Sequence, residues 1–135
     1  MSDKLSAASL LLAIVAVLYG MWYPQLVEAL DTPVPEFPAE RPKPRKAVEE
    51  IRRHRALPLL LAATGVAGVF LPDAVEIAIE SLRILARKRI GAVRAYDSVA
   101  TAFILVEVLS LYFVRHFLGV WSEFGKLIQR LSASA

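Results

Sequence analysis

Three long apolar segments, separated by charged and proline-rich stretches, dominate the sequence. Residues 5–23 contain no charged side chain, residues 57–71 form a shorter apolar run, and residues 98–114 contain a single acid, Glu107. At about 1.5 Å per helical residue, runs of 15 to 19 residues approach the roughly 30 Å of a hydrocarbon core. The pattern therefore predicts an all-α fold, an integral membrane helical bundle with three transmembrane helices.

Residues 57–71 are the shortest of the three runs and leave an alternative open. They are bounded by Pro58 and Pro72, and they can either cross the membrane or enter it and return as a re-entrant segment. We favour the crossing, because the backbone at the turn of a re-entrant segment needs burial inside protein. With three crossings, ten Lys and Arg residues lie on the cytoplasmic side of the membrane and six on the outer side. With the re-entrant segment, the corresponding numbers are twelve and four. Both arrangements predict a plasma (inner) membrane protein with its N-terminus outside.

Residues 24–55 differ sharply from their neighbours in composition. Their prolines predict an extended, polyproline II-like cytoplasmic loop, with a short helix only over residues 47–54. Basic side chains near a membrane attract anionic lipid headgroups. The residues expected to do so are Arg41, Lys43, Arg45, Lys46, Arg52, Arg53 and Arg55. Because Phe37 is the only aromatic residue near them, we expect no nucleic acid partner.

Two further segments have apolar residues at helical spacing opposite charged ones. They are residues 73–94 and residues 115–135. An amphipathic helix of this kind lies in the membrane interface or packs on its own protein, and the sequence leaves both possibilities open.

Composition supports the membrane assignment. Hydrophobic residues make up 56% of the 135 residues and charged residues 21%, and there is no cysteine. A disordered chain, a disulfide-stabilised domain and a Cys-ligated metal protein are therefore excluded. Since no phosphate-binding loop or catalytic set of residues is present, we expect no enzyme activity and no cofactor.

Glu107 is the main candidate for chemistry. A carboxylate within a transmembrane helix is costly and needs a proton, a partner or water. Ser110 lies about one turn later and can donate a hydrogen bond. The functional hypothesis is an ion- or proton-handling carboxylate; the structural alternative is a hydrogen bond to a neighbouring helix.

Small residues at helical spacing predict surfaces for close helix packing. The first segment contributes Ser9, Ala13, Ala16 and Gly20, and the second contributes Ala62, Gly65 and Gly68. Packing within the chain is sufficient to explain them, and packing against another subunit is the alternative.

The two histidines, His54 and His116, are the only candidate haem ligands, and a b-type haem needs both. The leading hypothesis is a non-enzymatic membrane subunit that assembles with other subunits or with itself. An ion or proton carrier using Glu107 is the second hypothesis, and a haem-binding anchor is the third.

Overall fold

The computed structural model describes residues 2–87 and 98–133, and these form a helical bundle without strands. The predicted all-α fold is confirmed. Helix α1 comprises Ser2–Leu30, α2 Pro42–Ile51, α3 Leu57–Arg87 and α4 Ser98–Ser132. A 3-10 turn, Pro38–Glu40, precedes α2, and a π-helical turn, Arg52–Ala56, joins α2 to α3.

Three helical stretches are long and apolar enough to cross a membrane: Ser2–Leu30, Pro42–Ile84 and Ser98–Ser132. Residues 57–71 lie within one continuous helix, and Gly65 and Gly68 cause no reversal of the chain there. The re-entrant alternative requires such a reversal and is therefore wrong.

The prediction of an extended loop over residues 24–55 is wrong in most of its length. Helix α1 continues through Pro24 to Leu30, and α2 begins directly at Pro42. Proline is tolerated in the first turn of a helix because the N–H that it lacks has no partner there. Within residues 24–55 only residues 31–37 and Arg41 lie outside helical structure, so the prolines shorten the connection and start a helix.

The register of the bundle follows from contacts near its two ends. Phe70 meets Phe103, and Arg52 meets Trp121, so the residue numbers of facing positions on α3 and α4 add up to 173 at both ends. On the other side, Lys4 of α1 pairs with Asp73 of α3, and Trp22 of α1 meets Arg55 of the π turn. The residue numbers add up to 77 in both of these pairs. Helix α3 is therefore antiparallel to α1 and α4, which run parallel.

These contacts also mark a membrane-sized interval along the bundle. From Lys4 to Trp22 there are 18 residue steps of α1, a rise of about 27 Å. Tyr19, Trp22 and Trp121 lie at one end of this interval, and aromatic rings of this kind favour the headgroup region. The Lys4–Asp73 ion pair lies at the other end. The interval matches the roughly 30 Å of a hydrocarbon core.

Beyond the aromatic end, the helices continue as a small helical cap. The core residues there come from α1, α2 and α4, and the cap is built around Leu26, Ala29, Val48, Phe124, Leu127 and Leu131. Residues 115–132 are thus the second half of α4, and their apolar face packs on the chain itself. The interfacial alternative for this segment is wrong, because the face that it requires is already covered.

The segment 73–94 begins as the last part of α3 instead of a separate helix. Helix α3 continues through Pro72 to Arg87, and Val75, Ile79 and Leu82 on its predicted apolar face are exposed. This face does not pack on the described chain, which leaves the membrane interface as its expected environment. Residues 88–94 of the prediction lie outside the described residues.

Candidate functional site

Glu107 lies inside the bundle. Its exposed fraction is 3% and that of Ser110 is 1%, although Leu105 and Val108, its close neighbours along α4, are exposed on the outer surface. The register places Glu107 level with the buried Val66 of α3, about 10 Å from the level of Asp73. The carboxyl group is therefore enclosed by the helices of its own chain and faces neither lipid nor a central pore between copies.

The expected hydrogen bond between Ser110 and Glu107 is absent. The Ser110 hydroxyl donates to the backbone carbonyl of Val106 at 3.0 Å, one turn back on the same helix. This local bond is common for serine within a helix, because the carbonyl four residues earlier lies within reach of the side chain. The Oε1 atom of Glu107 is buried and has no hydrogen-bond partner among the described residues. A buried oxygen without a partner is costly, and among the described residues only Arg52 Nε is a second buried side-chain polar atom of this kind.

A small acidic cavity lies one turn before Glu107 on α4. It has a volume of about 270 Å³. Its lining residues are Lys4, Asp73, Glu76, Ile77, Glu80 and Phe103. Phe103 also precedes Glu107 by one turn, and its buried ring packs edge-on against Phe70 at a centroid distance of 6.1 Å. Glu107 does not line the cavity; Phe103, one turn before it, is the residue of α4 that does.

The small residues predicted for helix packing lie mostly on the outside of the bundle. Ser9, Ala13 and Gly20 of α1 are exposed, as are Gly65 and Gly68 of α3. A Cβ atom added at any of these three glycines meets nothing within 4 Å. Ala16 and Ala62 are half-buried. The packing faces within the chain are instead formed by neighbouring residues, both small and large: Ala8, Leu12 and Val15 on α1 and Leu59, Ala63, Val66 and Phe70 on α3.

The two histidines lie in different surroundings. His116 is half-buried, and its Nε2 is 2.8 Å from the Tyr19 hydroxyl; His54 is exposed on the π turn. None of the described contacts brings the two imidazoles together, and the described residues contain no group of three or more His, Cys, Asp or Glu side chains suited to a metal ion.

The seven basic residues predicted for lipid headgroups separate into distinct groups. Arg41 is used internally: its guanidinium donates to the carbonyls of Pro35, Glu36 and Ala133. Arg45 pairs with Glu49 at 2.9 Å on α2. The donors of Arg41 are thus directed at backbone oxygens of its own chain.

The remaining five basic residues are Lys43, Lys46, Arg52, Arg53 and Arg55. Lys43, Lys46 and Arg53 are exposed, whereas Arg52 and Arg55 lie over tryptophan rings. The sequence analysis did not predict Trp121 as the partner of Arg52. The aromatic residue and its position just beyond an apolar run were a usable signal, but only the register shows that it faces Arg52.

No family model matches the sequence, and no curated protein or solved structure matches it either. The class of protein defined by the fold is a helical bundle with three helices suited to crossing a membrane.

Proposed function

We propose that the protein is a non-enzymatic integral membrane subunit that assembles with other membrane helices, either those of partner subunits or those of further copies. The observation that carries this proposal is the outward position of the small residues, at membrane depth, with open space above Gly20, Gly65 and Gly68. Between helices in lipid, small residues allow close backbone approach and so favour association. Packing within the chain, the competing explanation, does not use these glycines.

The orientation and the type of membrane belong to this proposal as well. We propose that the helical cap lies in the cytoplasm and the N-terminus outside, in a plasma (inner) membrane. The support is the distribution of Lys and Arg, which places ten residues on the side of the cap and six on the other.

The test replaces the two glycines of α3 by leucine, in the double variant Gly65→Leu/Gly68→Leu. Because an added Cβ meets nothing at either position, the bundle itself is expected to fold normally. In mild detergent, the wild-type protein is expected to run as an assembly and the variant to dissociate to the single chain. Gly119→Leu is the matched control, since Gly119 is equally open but lies outside both stripes. A wild-type protein that runs as a single chain, or a variant that assembles unchanged, contradicts the proposal.

A second candidate function is proton or cation transport through Glu107. The observation that favours it is the buried, unpartnered carboxyl oxygen, one turn beyond a phenylalanine that lines an acidic cavity. The position of Glu107 inside a single chain favours a carrier over a pore formed between copies. Intramembrane acids are commonly functional, which gives this candidate its general support.

The substitution Glu107→Gln tests transport, because glutamine keeps the shape of the side chain and cannot ionise. Transport through this residue predicts proton or cation flux in liposomes that falls to background in the variant, with Glu50→Gln on the exposed surface of α2, away from the cavity, as the control. Flux at background in the wild type, or equal flux in both proteins, removes the transport function. We expect no flux that depends on Glu107, since our leading proposal needs no ion conduction.

A further inference from the structure

Two arginines lie on tryptophan rings at the cap end of the membrane-sized interval. The Cζ atom of Arg52 is 3.8 Å from the ring centroid of Trp121, and that of Arg55 is 5.0 Å from the ring centroid of Trp22. Both distances are within the range of cation–π attraction. We call these four residues the Arg–Trp girdle. Tryptophan favours the headgroup level of a bilayer, so the girdle holds two guanidinium groups at that depth.

The π-helical turn positions the two arginines. Arg52 and Arg55 both belong to the turn Arg52–Ala56, which interrupts the long helical stretch between α2 and α3. π turns within helices are rare and are frequent at functional sites. From this turn Arg52 reaches α4 and Arg55 reaches α1, so the girdle joins three helical elements at one level.

The positive charge of this turn is not neutralised within the described chain. The ion pairs of the described residues lie elsewhere and involve Lys4, Arg45 and Lys126, and none reaches Arg52, Arg53 or Arg55. In addition, the Nε of Arg52 is buried without a hydrogen-bond partner. Because this Nε is inaccessible, an external anion meets the half-buried Arg52 at the terminal nitrogens of its guanidinium group.

The location selects the kind of anion. At the headgroup level the most abundant anionic group is the phosphate of a phospholipid, and the planar guanidinium fork of arginine fits phosphate oxygens. Leu118 precedes Trp121 by three residues on the same face of α4 and is exposed, so it offers apolar surface to an acyl chain below the phosphate.

We propose that the Arg–Trp girdle is a binding site for one anionic phospholipid, with Arg52 as the principal donor to its phosphate and Arg53 and Arg55 adding charge. The site depends on the membrane assignment of the bundle but not on the proposed assembly with other helices. Loss of assembly in the glycine variants and loss of lipid preference are therefore separate results.

The chain offers a direct optical readout, because Trp22 and Trp121 are its only tryptophans and both belong to the girdle. The experiment titrates the detergent-solubilised full-length protein with brominated phosphatidylglycerol or brominated phosphatidylcholine and measures quenching of tryptophan fluorescence. For the wild type we expect the anionic lipid to quench at a concentration roughly tenfold lower. Equal quenching by both lipids contradicts the site.

Two double variants distinguish a specific lipid site from a general effect of positive charge. Arg52→Gln/Arg55→Gln is expected to lose the preference, whereas Lys43→Gln/Lys46→Gln, which removes the same charge from exposed positions on α2, is expected to keep it. Equal losses in the two variants contradict the proposal. If the first variant does not fold, Arg52→Lys/Arg55→Lys replaces it; this variant keeps the charge without the planar fork, and an undiminished preference in it also contradicts the proposal. Displacement of the lipid by millimolar inorganic phosphate would assign the site to free phosphate and overturn the lipid assignment.

Discussion

Arg41 shows how a single side chain closes the cap. Its three donor nitrogens reach the carbonyls of Pro35 and Glu36 in the non-helical connection and that of Ala133 after α4. Carbonyls at the C-terminal end of a helix lack partners within the helix, and a cation there is favourable. Arg41 therefore fixes the connection between α1 and α2 to the end of α4.

Removal of this side chain is expected to destabilise the protein. Arg41→Ala should lower the free energy of unfolding by about 1–2 kcal/mol, since hydrogen bonds of charged groups contribute on this order and these are partly exposed. The measurement is thermal or denaturant unfolding in detergent micelles. Arg45→Ala is the matched control: it breaks an exposed pair with Glu49 and should cost only about 0.3–0.5 kcal/mol. An Arg41 variant as stable as this control would show that the hydrogen bonds of Arg41 to the three carbonyls do not stabilise the protein.

The sequence singles out Glu107 as an unusual residue but does not predict its surroundings. A lone acid within an apolar helix is visible in any reading of the chain, because its cost depends only on the medium around it. Ser110 does donate a hydrogen bond, but to the carbonyl of Val106, since a backbone carbonyl on the same helix competes with any side chain nearby. The helix that faces Glu107 depends on the register, which the apolar pattern alone does not contain.

At the scale of the elements, the sequence predicted where helices cross but not where they end. The apolar runs correspond to parts of α1, α3 and α4, yet each helix continues well beyond its run. The extensions of α1 and α4 are polar on one face only, so packing of the other face in the cap stabilises them more than local propensity does. Pro42 illustrates the difficulty: the same residue type breaks a helix in its interior and begins one at its first turn.

The direction of a helix face was equally hard to predict. Spacing identifies Ser9, Ala13 and Gly20 as one face of α1, but a bundle in lipid has apolar residues both inside and outside. Polarity therefore does not distinguish the interior from the lipid side, as it does in a water-soluble protein. The structure turns Leu12 and Val15 inward and leaves the small residues outside.

At the scale of the whole molecule, one arrangement explains the chemistry at both ends. An ion pair at one level and an arginine–tryptophan layer at another are separated by about 27 Å of α1. The helices between them expose large apolar side chains such as Leu10, Val17 and Val69. In water such a surface would aggregate, whereas in lipid it is the expected exterior.

The most direct test of this account is the side of the membrane on which single cysteines react. The chain has no native cysteine, so Ser2→Cys, Ala86→Cys and Ser122→Cys each introduce one unique thiol. In sealed vesicles treated with a membrane-impermeant maleimide, three crossings predict that positions 2 and 86 react from the same side and position 122 from the opposite side. Positions 2 and 122 reacting from the same side, or position 86 reacting from the same side as position 122, would contradict the three-helix crossing on which the account depends.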